Sequence, residues 1–292
     1  MSESGGIIWS NTDYPYLCLV DRKRTLAFRR AIDAVVRPGH TVVEVGAGTG
    51  ILSLFAASAG AAKVYAVELD PVLAECLRHT VLANDLAGVI EVVEGDALTV
   101  DLPCDVDVVV GELVETGLLD EMQVAVMNGL RARGVIGRET CVIPESYQTC
   151  LQLASTDNSY FGFAIHAPKH EWPYYAQDPE AWEHLRIDPV SEVAEVNVVD
   201  FGAGPVDPVV DTTVRFRVAD GATANALILS GSAGLTTGMR LGACNSFSGD
   251  KVLPLPSCEG EVELRVRYEM GRGLPNLSVS LLGAPVSENA EG

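Results

Sequence analysis

A buried strand that runs directly into three glycines restricts the fold of this chain more than any other feature. Residues 41–45 (TVVEV) have the valine-rich character of a strand buried on both faces, and GAGTG at residues 46–50 follows without a spacer. Glycine adopts backbone conformations with positive φ and lets the main chain approach a ligand closely. Because the apolar helical segment 51–59 comes next, the pattern predicts the strand, turn and helix of a ligand-binding α/β unit.

The alternation of strands and helices continues to about Pro144. Three further segments have the character of buried strands: residues 63–68, 89–93 and 106–110. Helical stretches separate them, and the one over residues 71–84 follows Asp70, a residue type that caps helices. This order predicts an α/β Rossmann-like domain with a parallel-rich, doubly wound sheet over residues 41–144.

From Glu145 onward, apolar and polar residues alternate instead. Examples are residues 213–218 (TVRFRV) and 262–268 (VELRVRY). Such alternation is typical of antiparallel strands with one buried face, so residues 145–292 are predicted to form a β-rich domain. Residues 168–184 form an aromatic, proline-rich insertion whose rings we expect in the core, with a substrate pocket or a subunit contact as alternatives.

The chain is strongly acidic, with 20 Lys and Arg against 40 Asp and Glu and a net charge of −20. Nucleic-acid binding depends on clustered basic residues, and the only such cluster is formed by residues 22–24 with Arg29 and Arg30. We therefore expect no nucleic-acid partner. An acidic surface attracts cationic substrates, although many such surfaces are simply solvated.

Signals for membranes, secretion and metals are weak. The longest nearly apolar stretch, residues 50–62, is shorter than the ~20 residues of a membrane span, and the start MSESGG lacks the features of a signal peptide. Seven scattered cysteines without a CxxC pair fit free thiols in a reducing compartment. We expect a cytoplasmic protein with no membrane partner and no metal, because His166 and His170 flank Pro168 and do not share a helix face.

The spacing of the glycines and two glutamates indicate which cofactor the turn binds. A dinucleotide site has the spacing G-x-G-x-x-G, whereas these glycines follow G-x-G-x-G after Glu44, which favours S-adenosylmethionine over NAD. Glu68 ends the second predicted strand 18 residues after Gly50, where its carboxylate can accept hydrogen bonds from both hydroxyls of an adenosine ribose. For the glycine motif alone, the alternative is a tight turn that binds no ligand. For Glu68 alone, the alternative is a charged residue on the surface.

Four carboxylates follow the fourth predicted strand: Glu112, Glu115, Asp120 and Glu121. Open α/β sheets bind ligands at the carboxyl ends of their strands. Glu112 and Glu121 can close on a planar guanidinium from two sides, since its five N–H donors match carboxylates bidentately. The alternative is a solvated acidic loop that leads into a helix.

Together these features resemble the protein arginine methyltransferases. The resemblance extends from about Tyr14 to Pro144, and it is carried by residues 46–50, KVYAVE at 63–68, Asn84, DVVVGE at 107–112, and Glu121. It implies that residues 1–40 form a helical segment that covers the cofactor, and that a β-barrel-like domain for substrate or oligomerisation follows Pro144. It also makes Glu112 and Glu121 the two glutamates of the family's double-E loop.

The resemblance implies a role for each candidate site residue. Arg24 would hold the methionine carboxylate, and Glu112 and Glu121 would be catalytic. The predicted residues of the S-adenosylmethionine and S-adenosylhomocysteine site are Arg24, Glu44, Gly46, Ala47, Gly48, Gly50, Glu68, Asp96, Ala97 and Glu112. The predicted substrate residues are Tyr14, Tyr16, Glu112, Glu115 and Glu121.

Three departures from the family pattern bear on the acceptor. The family's Thr-His-Trp is replaced by residues 245–247 (NSF), Trp-Met-Gly by residues 113–115 (LVE), and the segment that would form a dimerisation arm is short. We expect an N-methyltransferase for a guanidino group, with free arginine or another small guanidine or amine slightly preferred over protein arginine, and a possible homodimer. Another methyl acceptor, or an inactive cofactor-binding scaffold, is the alternative.

Overall fold

The computed structural model describes residues 9–170 and 186–282. Two helices come first, α1 (Tyr14–Val20) and α2 (Arg22–Val35). Asp21 separates them, because its carboxylate caps α2 by accepting hydrogen bonds from the amides of Lys23 (3.1 Å) and Arg24 (3.2 Å). The buried face of α2 includes Ala27, Phe28, Ala31 and Ile32, which have the i, i+4 spacing of one helix stripe.

A five-stranded, wholly parallel sheet follows the helices. Its elements are β1 (Thr41–Val45), α3 (Ile51–Ser58), β2 (Lys63–Glu68), α4 (Pro71–Ala83), β3 (Ile90–Glu94), β4 (Val108–Gly111), α5 (Gln123–Ala132) and β5 (Cys141–Ile143). The strand order β3-β2-β1-β4-β5 reverses direction between β1 and β4. Ligands of such sheets bind outside the carboxyl ends of the strands at this reversal. The predicted Rossmann-like fold is confirmed.

The remaining strands are antiparallel. They are β6 (Ser146–Thr156), β7 (Ser159–Tyr160), β8 (Phe163–Ala164), β9 (Lys169–His170), β10 (Ile187–Pro189), β11 (Ala194–Asp200), β12 (Val209–Arg217), β13 (Ala224–Thr236), β14 (Met239–Gly242), β15 (Lys251–Cys258), β16 (Glu261–Glu269) and β17 (Ser278–Leu282). They form a seven-stranded sheet centred on β6 and β13, a three-stranded sheet β12-β16-β17 and the hairpin β7-β8. This half-barrel confirms the predicted β-rich, barrel-like domain.

The parallel sheet and the half-barrel share one hydrophobic core. Helix α2 packs against β13 and β14, and a short 3₁₀ turn at Thr116–Leu118 packs against β6 and β13. Helix α5 is tied to the half-barrel by Asn128, which exchanges hydrogen bonds of 2.8 Å with the backbone of Val206. The loop that carries the four carboxylates therefore lies between the two halves.

Several expectations can be compared directly with these elements. All seven cysteines are free thiols, as the sequence predicted. No helix within the described residues is long and apolar enough to cross a membrane. Most of the aromatic insertion, including Trp172, Tyr174, Tyr175 and Trp182, lies outside the described residues.

Candidate active site

The glycine turn at the end of β1 is open on one side only. Gly46, Gly48 and Gly50 have φ values of 69°, 53° and 79°, a region that side chains disfavour. A Cβ atom at Gly46 would collide with Leu113, and one at Gly50 with Leu77, whereas none of the described atoms lies within 4 Å of the corresponding position at Gly48. The turn thus packs against the protein at both ends and leaves space at its centre.

Glu68 is fixed beside this open position. One carboxylate oxygen accepts a hydrogen bond from the amide of Gly48 (2.7 Å), and the other accepts from the amide of Asp70 (2.8 Å). Burial raises the pKa of Glu68 and outweighs the opposing effect of these bonds. Asp70 caps α4 and also accepts from the amide of Ser10 (2.9 Å), so the N-terminal segment reaches this edge of the sheet.

The other predicted cofactor residues surround the turn. Ala47 is buried, and its amide donates to the carbonyl of Val67 (3.0 Å). Glu44 is buried and accepts a hydrogen bond from Ser53, so it ties β1 to α3; burial raises its pKa to about 8. Asp96 is exposed in the loop after β3, and Ala97 next to it is half-buried. The amide of Gly95 bonds to the carbonyl of Glu68 (2.8 Å), which brings this loop to the same edge.

Arg24 and Glu112 form the next part of the site. They form an ion pair between α2 and the end of β4, with both side chains less than a tenth exposed. Burial raises the pKa of the Glu112 carboxyl, and the attraction of Arg24 opposes that rise. The Nε atom of Arg24 is buried without a hydrogen-bond partner among the described residues.

Glu121 completes the pair of glutamates that the sequence singled out. No hydrogen bond or ion pair of its carboxylate is found within the described residues. Burial, followed by repulsion from Glu112 and Glu115, raises its pKa well above the ordinary value for glutamate. Two carboxylates that interact this strongly form one acidic site.

The two predicted tyrosines differ. Tyr14 is half-buried and donates to the carbonyl of Ser246 (2.9 Å). Burial raises the pKa of Tyr14, and the charges of nearby Cys18, Glu112 and Glu121 add to the rise, which places Tyr14 beside the acidic site. Tyr16 is 63% exposed, so the structure does not bring this predicted substrate residue into the cluster.

The prediction that Glu115 offers a free carboxylate to a substrate needs correction. Glu115 is buried and ion-paired with Lys251, the first residue of β15, whose side chain is 3% exposed. The same ammonium lies 3.0 Å from Asp120. Burial raises the pKa of Glu115 to about 7 despite the attraction of Lys251. No local sequence pattern pointed to Lys251, which stands alone in a segment rich in Pro and Leu.

Asp21 is a second residue that the sequence analysis did not select. The amide and hydroxyl of Ser246 donate to one oxygen of Asp21 (2.8 and 3.0 Å). Burial alone would raise the pKa of Asp21, but hydrogen bonds from the backbone of Arg24 and Ser246 bring it below the ordinary value. Phe247 packs edge-on against Phe28 at 6.4 Å between ring centres. The half-barrel is thus fastened to the helices over the site.

Comparisons with known proteins fit this geometry. The family model for the TRM5/TYW2 methyltransferase domain matches residues 22–148. Over 94% of this chain and 96% of the other, the fold superimposes on the Trypanosoma brucei PRMT1 enzyme–prozyme complex with AdoHcy, with a TM-score of 0.72 and 19% identity. The chain therefore has the fold of the protein arginine methyltransferases, and nearly half of its sequence is similar to a methyltransferase domain.

Proteins similar in sequence to this chain fall into two groups by the extent of the match. An uncharacterised protein of Methanocaldococcus jannaschii is 29% identical over 269 residues, which is 91% of this chain and 95% of that protein. The arginine N(omega)-methyltransferase of Streptomyces achromogenes is 36% identical over 110 residues, and the protein arginine N-methyltransferase PRMT10 of japonica rice is 32% identical over 178 residues. The match covers only 30% and 45% of those two proteins and 36% and 58% of this chain.

Proposed function

We propose that this protein transfers a methyl group from S-adenosylmethionine to a nitrogen of a guanidino group. The observation that carries the proposal is the pair of half-buried carboxylates, Glu112 and Glu121, in the loop after β4. Glu112 pairs with Arg24, and Glu121 has no ion pair or hydrogen bond among the described residues. A carboxylate withdrawn from water without a cation is costly, so this pair is suited to a cationic ligand.

The residues at the turn fit the cofactor. Gly48 leaves open space at a positive φ, and Glu68 stands beside it for the ribose hydroxyls. The buried, unpartnered Nε of Arg24 is a donor that a carboxylate such as that of methionine would satisfy. We assign Arg24, Gly46, Gly48, Gly50 and Glu68 to this site, and keep Glu44, Ala47, Asp96 and Ala97 as neighbours that shape it.

The acceptor geometry follows from the same residues. When bound, S-adenosylmethionine supplies an electrophilic methyl group on a sulfonium. With Arg24 engaged on the cofactor's carboxylate, Glu112 would be available to the guanidinium together with Glu121. Two ionised carboxylates would hold the guanidinium in a fixed orientation and keep its positive charge on the nitrogens that they contact. The remaining nitrogen would be the better nucleophile, and the proton that it releases on methylation would pass to one of the two carboxylates, so a histidine base is less necessary.

We favour free arginine or another small guanidine over a protein arginine. The Glu115 carboxylate gives no support to this preference, since Lys251 occupies it. Support comes from residues 245–247 (NSF), which stand where the resemblance implies the family's Thr-His-Trp, and from the short segment in place of its dimerisation arm. With seven free cysteines, we place the reaction in the cytoplasm.

A labelled methyl-transfer assay tests the proposal. Free arginine, Nα-acetylarginine, agmatine and an arginine-rich histone peptide are compared as acceptors, with lysine as the amine control. Transfer to the guanidines and not to lysine is the expected result, and loss of transfer in Glu121→Gln should accompany it. Transfer confined to the peptide would reverse the preference for small acceptors. Transfer to lysine alone would overturn the guanidino assignment.

A further inference from the structure

The loop between β4 and α5, residues 112–121, is held to the half-barrel along its length. We call it the acceptor loop. Its neutral contacts are Thr116 Oγ1 to the carbonyl of Gly249 (2.6 Å), the amide of Gly117 to the hydroxyl of Tyr147 (3.2 Å), and the carbonyls of Leu118 and Leu119 to the amides of Gly271 (2.9 Å) and Gly273 (2.7 Å). These contacts fix the middle of the loop. Near its ends, Glu112 pairs with Arg24, and Asp120 accepts a hydrogen bond from the amide of Leu274 (3.1 Å).

Lys251 links two points of the loop that lie close to the pair Glu112 and Glu121 in sequence. Its ammonium pairs with Glu115, three residues after Glu112, and with Asp120, the residue before Glu121. The Lys251 side chain is 3% exposed, and that of Glu115 is 9% exposed. A buried ion pair of this kind strongly resists the loss of one partner, because the remaining charges are left uncompensated.

Repulsion among the neighbouring carboxylates makes the conformation of the acceptor loop depend on the Lys251 ammonium. Glu115 and Asp120 lie close enough to repel each other, and each also repels Glu121. The charged and titratable groups that face Glu121 are Glu112, Glu115, Asp120, Arg24 and Tyr14. Without Lys251, two carboxylates next to the catalytic pair would separate or take up protons, and Glu121 would move with its neighbour Asp120.

We propose that Lys251 of the half-barrel is the positioning residue that sets the catalytic geometry of Glu112 and Glu121, by pairing at once with Glu115 and Asp120. This inference rests on the proposed function. Lys251 is not itself a substrate ligand, since its ammonium is buried and occupied by two carboxylates.

Kinetics of Lys251→Met, Lys251→Arg and the control Lys169→Met test the inference. Lys169 is another half-barrel lysine, in the strand that pairs with β15 beside Lys251, and its ammonium bonds to Thr156, Asp157 and Asn158, none of which belongs to the acceptor loop. We expect Lys251→Met to lower kcat at least tenfold while KM for a cationic acceptor rises less than threefold, because the charge removed from the site is positive. Lys251→Arg should recover kcat to within about threefold of wild type, and Lys169→Met should match wild type.

A second measurement does not depend on activity. Amide hydrogen exchange over residues 112–121 should accelerate in Lys251→Met and stay unchanged in Lys169→Met. If Lys251→Met does not fold, the double variant Glu115→Gln/Lys251→Met, which buries a neutral pair, replaces it. Unchanged kcat together with unchanged exchange would overturn the inference. If wild-type protein methylates no guanidine, the proposed function fails instead, and exchange alone decides whether Lys251 orders the loop.

Discussion

Glu121 is the residue whose ionisation matters most for acceptor binding. Burial and the neighbouring carboxylates raise its pKa well above the ordinary value for glutamate, and burial also raises that of Glu112. A guanidinium keeps its charge throughout the accessible pH range. Only the ionised carboxylates attract it, so protonation of the pair as the pH falls removes the acceptor site.

The resulting prediction concerns the pH dependence of kcat/KM for a guanidine. We expect kcat/KM to rise with pH across the neutral range, where an ordinary glutamate would already be fully ionised. Initial rates at subsaturating acceptor between pH 5.5 and 9 measure this, with calorimetric binding of S-adenosylhomocysteine as the reference for the integrity of the cofactor site. A flat profile above pH 6 would show that neither carboxyl controls acceptor binding.

Glu68 gives a second prediction for a single residue. Its carboxylate is buried beside the open position of Gly48, so Glu68→Ala should weaken S-adenosylhomocysteine binding by about 1 to 3 kcal/mol, the cost of leaving hydrogen-bonding groups unpaired. Isothermal calorimetry measures the change. Glu75→Ala, at an exposed position of α4, is the matched control. Equal affinities in the two variants would remove Glu68 from the cofactor site.

At the scale of elements, Asp21 joins three parts of the molecule. It separates α1 from α2, caps α2, and accepts two hydrogen bonds from Ser246 of the half-barrel. A capping residue contributes about 1 kcal/mol. A buried donor left unpaired costs about 1 to 3 kcal/mol more.

Asp21→Ala should therefore lower the free energy of unfolding by about 2 to 4 kcal/mol, measured by urea denaturation. Asp33→Ala, at an exposed position near the end of α2, is the control and should change stability little. Ser246→Ala removes one of the two donors and should fall between them. If Asp21→Ala were as stable as the control, the helices would not depend on the half-barrel for their position.

At the scale of the whole molecule, the hairpin β7-β8 and the residue after it expose a cluster of large apolar side chains. Phe161, Phe163 and Ile165 are 100%, 70% and 46% exposed. Clustered apolar side chains of this size mark interaction surfaces. We therefore expect a second copy of this chain to cover the hairpin.

We predict a homodimer that Phe161→Ser/Phe163→Ser converts to monomer without loss of thermal stability. Sedimentation velocity over a range of concentrations measures the mass. Val209→Ser, a half-exposed apolar position elsewhere on the half-barrel, should leave the dimer intact. A wild-type protein that is monomeric at every concentration would refute this use of the hairpin.

The local sequence pattern of apolar runs and glycines was sufficient to predict the parallel sheet and the positions of the candidate residues at its edge. The glycine turn, Glu68 at the end of β2, and Glu112 after β4 follow from strand and turn propensities within a few residues, and parallel strands bring their carboxyl ends to one edge. The alternation after Glu145 likewise predicted antiparallel strands, although strands as short as β5 and β7 have no periodicity to detect. The two halves of the molecule could therefore be recognised before their arrangement was known.

Only the tertiary structure decided which charges meet. Asp21 bonds to Ser246 across 225 residues, and Asp120 pairs with Lys251 across 131. No local pattern records such pairs, because each partner has an ordinary setting in its own segment and the contact exists only when the half-barrel packs on the helices. Glu115 is the clearest case: its sequence neighbourhood suggested a free carboxylate, while packing supplied it with a buried cation. The exposed side chain of Tyr16 was decided in the same way, by where α1 rests on the folded core.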